Sequence, residues 1–332
     1  MNDESIFQPR PFRPAAWLPG AHAQTIAGRF LRRGAGVEYR RERMTTPDGD
    51  FVDLDFAVVP GAAEPPADAP LAVVVHGLEG SSRSTYVLET CHALWEVGIR
   101  SVALNFRSCS GEPNRAARFY HAGDTEDLAH VLGQLRDRAP TFGAVGFSLG
   151  GNVLLKYLGE RGGESAVGAA VAVSVPFDLM AGARHLEGSR MGRFYSRVFL
   201  RSLRRKFSGK ADRIGEIADA ARMRAARSLR EFDDAVTARL HGFRDVADYY
   251  GRSSSGQFIP AIRVPTLVVQ AADDPFVPPA AIPRDAVLAN PSVTGVFPER
   301  GGHVGFIGGT PRAPEFWAER EAARFLAMHL VR

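Results

Sequence analysis

Residues 141–152 read TFGAVGFSLGGN, and the fold turns on how Ser148 is read. The run FGAVGF has the composition of a short strand buried on both faces. Ser148–Glu160 is helical in pattern. Between the two stands Gly146-Phe147-Ser148-Leu149-Gly150. A Gly-X-Ser-X-Gly pentapeptide recurs by chance. A strand directly before it and a helix directly after it are the setting of a strained turn that exposes a nucleophile. Side chains two residues before and two after the serine would collide in such a turn, so glycine is required there. Gly146 and Gly150 meet that requirement. The serine Oγ is then expected at the C-terminal edge of a sheet, near free N–H groups at a helix N-terminus. The other reading is an ordinary serine in a glycine-rich loop, which explains neither flank.

Working outward, LAVVVHG (71–77), SVALNF (101–106), VGAAVAVSVP (167–176) and VPTLVVQAADDP (264–275) are further short apolar runs. Helical segments of about a dozen residues separate several of them, at 84–97 and 124–138. This alternation predicts a mostly parallel sheet flanked by helices. SVTGVFPE adds a last strand and EFWAEREAARFLAMHL a closing helix. Upstream, Asp48-Gly49 between two β-like runs predicts a hairpin. PGAAEPPADAP (60–70) is a surface loop. Residues 177–260 break the rhythm: they are helical in character, rich in arginine and without a buried-strand run. The expected organisation is an irregular arm over 1–36, with a short helix near Gln24–Arg33, and an α/β core over 37–176 and 261–332. Residues 177–260 form a helical cap or lid inserted into that core.

The chain has 332 residues, 45% apolar and 23% charged, with a formal net charge of +4. That is enough chain to bury a large core without a metal or disulfide. Arginines cluster at 29–43 and 193–206. Such clusters are more often solvated faces than nucleic-acid sites, and no nucleic-acid partner is expected. Cys91 and Cys109 are too few for a disulfide framework and lack metal-ligand spacing. No cofactor or metal is expected. The N-terminus has no secretory pattern, and no run of about 18 apolar residues occurs. A cytoplasmic protein is the resulting expectation.

A nucleophilic serine needs a base and an acid, in the chain order nucleophile, acid, histidine. His303 lies in ERGGHVGF after the last expected strand. AADDPFVP ends a strand with two carboxylates, Asp273 and Asp274, one helix and one strand before it. His303 would take the proton of Ser148, and an aspartate would hold the imidazole tautomer. HGLEGS (76–81) follows a strand directly, and its turn is expected to present a backbone N–H. The amides of Leu78 and Leu149 are therefore the candidate oxyanion donors. His76 itself reads as structural. His22, His92, His121 and His185 read as packed or surface groups, with no zinc spacing among them. Cys109 lacks an evident base and reads as a buried or pocket-edge thiol.

SRMGRFYSRVFLRSLRRKF (189–207) places Met191, Phe194, Tyr195, Val198, Phe199 and Leu203 at helical spacing, with arginines between them. The preferred reading is a lid helix that packs its apolar face on the domain. The alternative is a basic amphipathic helix in peripheral contact with an anionic membrane.

PAAWLPGAHAQTI, HGLEGSSRSTY, NFRSCSGEPN, FYHAGDTEDL, GFSLGGN, FDDAVTARLHGFRDVADYY, ADDPFVP and GGHVGF together resemble the YheT-like (EMB8-like) hydrolases of the α/β-hydrolase superfamily. They span nearly the whole chain. The resemblance implies an α/β-hydrolase fold and a serine hydrolase of carboxylic esters, with acyl or lipid esters as substrates. It places the nucleophile on Ser148, the base on His303 and the acid on Asp274, the first residue of DPFVP. An acyltransferase with the same residues, or a catalytically silent binding protein of the same fold, are the alternatives. The apolar and aromatic content of 177–260 suits an acyl chain.

Overall fold

The computed structural model describes residues 7–32, 36–215 and 217–331. Eight strands form one sheet: β1 (Glu38–Thr45), β2 (Phe51–Val58), β3 (Leu71–Val75), β4 (Arg100–Asn105), β5 (Phe142–Phe147), β6 (Ala169–Val173), β7 (Thr266–Val269) and β8 (Val293–Val296). Their order is β1-β2-β4-β3-β5-β6-β7-β8. Pairing is antiparallel from β1 to β2 and from β2 to β4, and parallel across the rest. The sheet is therefore mostly parallel, as the alternating pattern predicts. The hairpin closes where Asp48-Gly49 places it, with Gly49 at φ 76°.

The continuous apolar runs follow from burial on both faces. In β3, Leu71, Val73 and Val75 enter the core on one side of the sheet, while Ala72 and Val74 enter the core on the other. Helices α2 (Thr85–Glu96), α3 (Glu126–Leu135) and α4 (Leu149–Arg161) follow β3, β4 and β5 respectively. The first core contains Leu128 and Val131 of α3 and Leu154 of α4. The second contains Val87 and Leu94 of α2 with Phe325 and Leu326 of the closing helix, Trp317–Leu330.

The helix expected near Gln24–Arg33 is α1 (Ala21–Leu31). It starts three residues earlier, directly after Gly20 at φ 84°, and Arg33 lies outside the described residues. A two-stranded ribbon, β9 (Ile307–Gly309) with β10 (Pro314–Phe316), precedes the closing helix. Its three-residue strands are too short to leave a period in the sequence.

Between β6 and β7 the chain is helical, beginning with α5 (Leu179–Gly188) and α6 (Arg190–Ser208). This stretch has a core of its own, built on Leu200, Phe207, Ile214, Met223 and Phe232. Its last turns, around Ser253–Ala261, pack on α4 instead. Asn152 Nδ2 donates to Ser253 O at 2.7 Å and to Ala122 O at 2.8 Å, and its Oδ1 accepts from Ser255 N. Asn152 is thus a buried staple between the first turn of α4 and two loops. No helix among the described residues is long and apolar enough to cross a membrane.

Candidate active site

Ser148 occupies the junction of β5 and α4 with φ 52° and ψ −120°. A non-glycine residue with positive φ is strained, and the surroundings must hold it there. One hydrogen bond does so, and two glycines leave room for the turn. Ser148 N donates to Val173 O at 2.8 Å. A Cβ on Gly146 would meet Gly150 O at 2.6 Å, and one on Gly150 would meet Val75 O at 2.4 Å and His76 O at 2.5 Å. The second glycine is therefore required against the end of β3, not only within the turn. Gly151, next in line, approaches Val175 and the carbonyl of Gly146.

The structure brings His303 and Asp274 to this serine. Ser148 Oγ lies 2.9 Å from His303 Nε2. His303 Nδ1 lies 2.9 Å and 3.1 Å from the two oxygens of Asp274. The buried Asp274 carboxylate also accepts from Gln270 Nε2 and from the amide of Phe276. With Nδ1–H given to Asp274, Nε2 is left as the acceptor facing the hydroxyl. Asp273 turns the other way. Its Oδ1 accepts from Gly302 N at 2.8 Å, which shapes the loop that carries His303.

That loop is held by groups that sequence reading left without a role. His303 N donates to Thr25 Oγ1 of α1, and Gln24 bonds both the N–H and the C=O of Ile307. Val304 N donates to Ser174 Oγ. The Phe276 ring stacks on the imidazole with centroids 4.2 Å apart. Thr25 and His303 are 278 positions apart, and no local pattern signals such a contact.

The HGLEGS turn lies against the serine: a Cβ on Gly77 would come within 3.0 Å of Ser148 Cβ. The amides on either side of Leu78 are occupied, Gly77 N by Tyr86 OH and Glu79 N by Tyr120 OH. Leu149 takes the first position of α4, where the N–H has no acceptor within the helix. His76 is not poised as a base. Phe106 N donates to its Nε2, so Nδ1–H donates to Gly77 O, and burial lowers its pKa to about 3.

Glu79 has φ 56° and a carboxylate with three donors: Tyr120 OH at 2.9 Å, Ser202 Oγ at 2.5 Å and Lys206 Nζ at 2.8 Å. Ser202 and Lys206 belong to α6. Lys206 also donates to Cys109 Sγ at 3.0 Å. Burial nonetheless pushes the Cys109 thiol up to about 11, so it is a poor thiolate source.

Ser148 and His303 open into a cavity of about 150 Å³. Its walls are largely apolar and include Leu78, Leu149, Phe276, Leu186, Phe199, Leu203, Phe207 and Phe232. His121 and His241 also line it, with rings 4.5 Å apart, and burial lowers His241 to about 3. No cluster of three or more His, Cys, Asp or Glu side chains suited to a metal occurs among the described residues.

The profile of the alpha/beta hydrolase fold family matches residues 70–310. The chain is 41% identical over 324 residues to YheT of Escherichia coli, covering 96% of this chain and 94% of that one. It is 32% identical over 302 residues to phospholipase ABHD3 of Mus musculus, covering 90% and 74%. A solved esterase of Pyrococcus furiosus shares the fold, with a TM-score of 0.56 at 17% identity over 97% of this chain and 100% of that chain.

Proposed function

The chain belongs to the α/β-hydrolase family, in its YheT-like group, and we propose that it hydrolyses carboxylic esters through an acyl-enzyme on Ser148. The observation that carries this reading is the unbroken chain Ser148 Oγ–His303–Asp274, with the serine strained outward at φ 52°. His303 Nε2 accepts the hydroxyl proton as Oγ bonds to the ester carbonyl carbon. Asp274 stabilises the imidazolium that results. The carbonyl oxygen becomes an oxyanion, received by the amides of Leu78 and Leu149. Collapse breaks the carbon–alkoxy bond, and His303 returns the proton to the leaving alcohol. Water then attacks the acyl carbon as His303 Nε2 takes its proton; the carbon–Oγ bond breaks, His303 returns the proton to Ser148 Oγ, and the carboxylic acid leaves.

The apolar cavity favours an acyl group over a polar one, which fits an acyl or lipid-type ester. The phospholipase activity in the name of the mouse relative points the same way. Residues 177–260 act as the cap over this cavity, 37–176 and 261–332 as the catalytic domain, and 1–36 as an arm. A cytoplasmic setting with reduced Cys91 and Cys109 completes the proposal.

Steady-state hydrolysis of a p-nitrophenyl ester series from acetyl to octanoyl tests this function. Turnover that extends beyond acetyl and falls at least ~10³-fold in Ser148→Ala is expected. Turnover of acetyl alone would remove the acyl-chain assignment. Equal turnover by the variant would remove the mechanism.

A further inference from the structure

The apolar positions of α6 do not share one face. Tyr195 and Leu200 are buried and Phe199 and Leu203 line the cavity, whereas Phe194 is 50% and Val198 54% exposed. On the outer side they stand in one stripe with Arg190, Arg193, Arg197, Arg201 and Arg205, all exposed. The helix contains no Asp or Glu. Helix α1 touches α6 and carries exposed apolar residues of its own. His22 Nδ1 lies 3.0 Å from Tyr195 OH, and along the same face of α1 follow Ile26, 40% exposed, and Phe30, 74% exposed, beside Arg29.

Both helices touch the site. Thr25 of α1 holds the amide of His303, and Tyr195 of α6 packs on Phe276, whose ring stacks on the His303 imidazole.

We propose that the outer faces of α1 and α6 dock the protein on an anionic phospholipid bilayer. Large apolar side chains standing in water among arginines match the interface of a bilayer, where acyl chains receive the former and anionic headgroups the latter. A second copy of the chain fits poorly. A two-fold contact sets a patch against itself, and the arginine stripe would meet its own charge. A nucleic acid would use the arginines and leave Phe30, Phe194 and Val198 wet. The expectation for this helix, an apolar face packed inward, holds for Tyr195, Phe199 and Leu203 but not for Phe194 and Val198. Docking is independent of whether Ser148 hydrolyses esters.

The test is sedimentation of the full chain with vesicles, either pure phosphatidylcholine or equal parts phosphatidylcholine and phosphatidylglycerol. Strong binding only to the anionic vesicles is expected. Phe194→Asp/Val198→Asp, and separately Phe30→Asp, are expected to lower the partition about tenfold. Arg197→Gln/Arg201→Gln is expected to lower it similarly and to flatten its salt dependence. Far-UV circular dichroism and p-nitrophenyl acetate turnover should be unchanged in all three. Absence of binding to anionic vesicles, or equal binding by the apolar variants and the wild type, would overturn the proposal. So would a wild-type dimer that Phe194→Asp/Val198→Asp dissociates, or DNA binding that replaces vesicle binding.

Discussion

Lys206 Nζ on α6 lies 2.8 Å from Glu79 Oε1, one residue along the chain from Leu78. The pair ties the helix that roofs the cavity to the turn that carries a candidate oxyanion donor. Glu79 is strained at φ 56°, and Tyr120, Ser202 and Lys206 together hold it. Loosening them should misplace the Leu78 amide in the transition state more than it disturbs ground-state binding. Lys206→Met and Glu79→Gln are each expected to lower kcat about tenfold, with KM changed less than about twofold, and Lys206→Arg to restore part of the loss. An unchanged kcat would detach the tether from catalysis.

The two neighbouring aspartates separate by role. Asp274 accepts from His303 Nδ1, while Asp273 accepts from the backbone of the same loop. Asp274→Asn is expected to cost about 10³–10⁴-fold in kcat, because the amide no longer fixes the tautomer. Asp273→Asn keeps an acceptor for Gly302 N and is expected to cost less than about tenfold. Kinetics on one soluble ester decide it, and the reverse order would move the acid to Asp273.

Gly150 and Gly151 make a steric comparison. A methyl at Gly150 meets two backbone carbonyls within 2.5 Å, whereas one at Gly151 meets the Val175 side chain at 2.8 Å and a single backbone carbonyl, Gly146 O, at 3.0 Å. Backbone cannot yield as a side chain can. Gly150→Ala is expected to lose about 3 kcal/mol or more by urea denaturation, and Gly151→Ala about 1–2 kcal/mol.

Acid should weaken the fold through buried neutral histidines. Burial lowers His76 and His241 from 6.5 to about 3 each. In that window the unfolded chain binds more protons than the folded one. The stability they contribute is full above pH 6.5 and is lost as pH falls towards about 3, at up to ~1.4 kcal/mol per pH unit per group. Urea midpoints should fall between pH 7 and 5, and His241→Gln should reduce that fall. A variant with the full wild-type slope would contradict the assignment.

Much of this was legible in the chain because burial on both faces leaves unbroken apolar runs, as in β3, β5 and β6. The strained turn was legible because sterics reduce Gly146 and Gly150 to one residue type. Less legible were contacts whose partners lie far apart in sequence, such as Thr25 with His303 and Lys206 with Glu79. Either half alone looks like an ordinary polar residue. The face of α6 was legible only in part, for a different reason: Tyr195, Phe199 and Leu203 turn inward as expected, and Phe194 and Val198 do not. Apolar residues at 191–203 are too many for one stripe, and periodicity cannot say which of them meets the cavity and which meets water.

The central claim is that Ser148 is the nucleophile activated by His303. A fluorophosphonate reacts covalently with such a serine, and peptide mass spectrometry locates the adduct. The expected result is one adduct per chain on Ser148, absent from Ser148→Ala and slowed at least ~10²-fold in His303→Ala. An unlabelled wild-type protein, or a Ser148→Ala variant labelled as fast as the wild type, would contradict it.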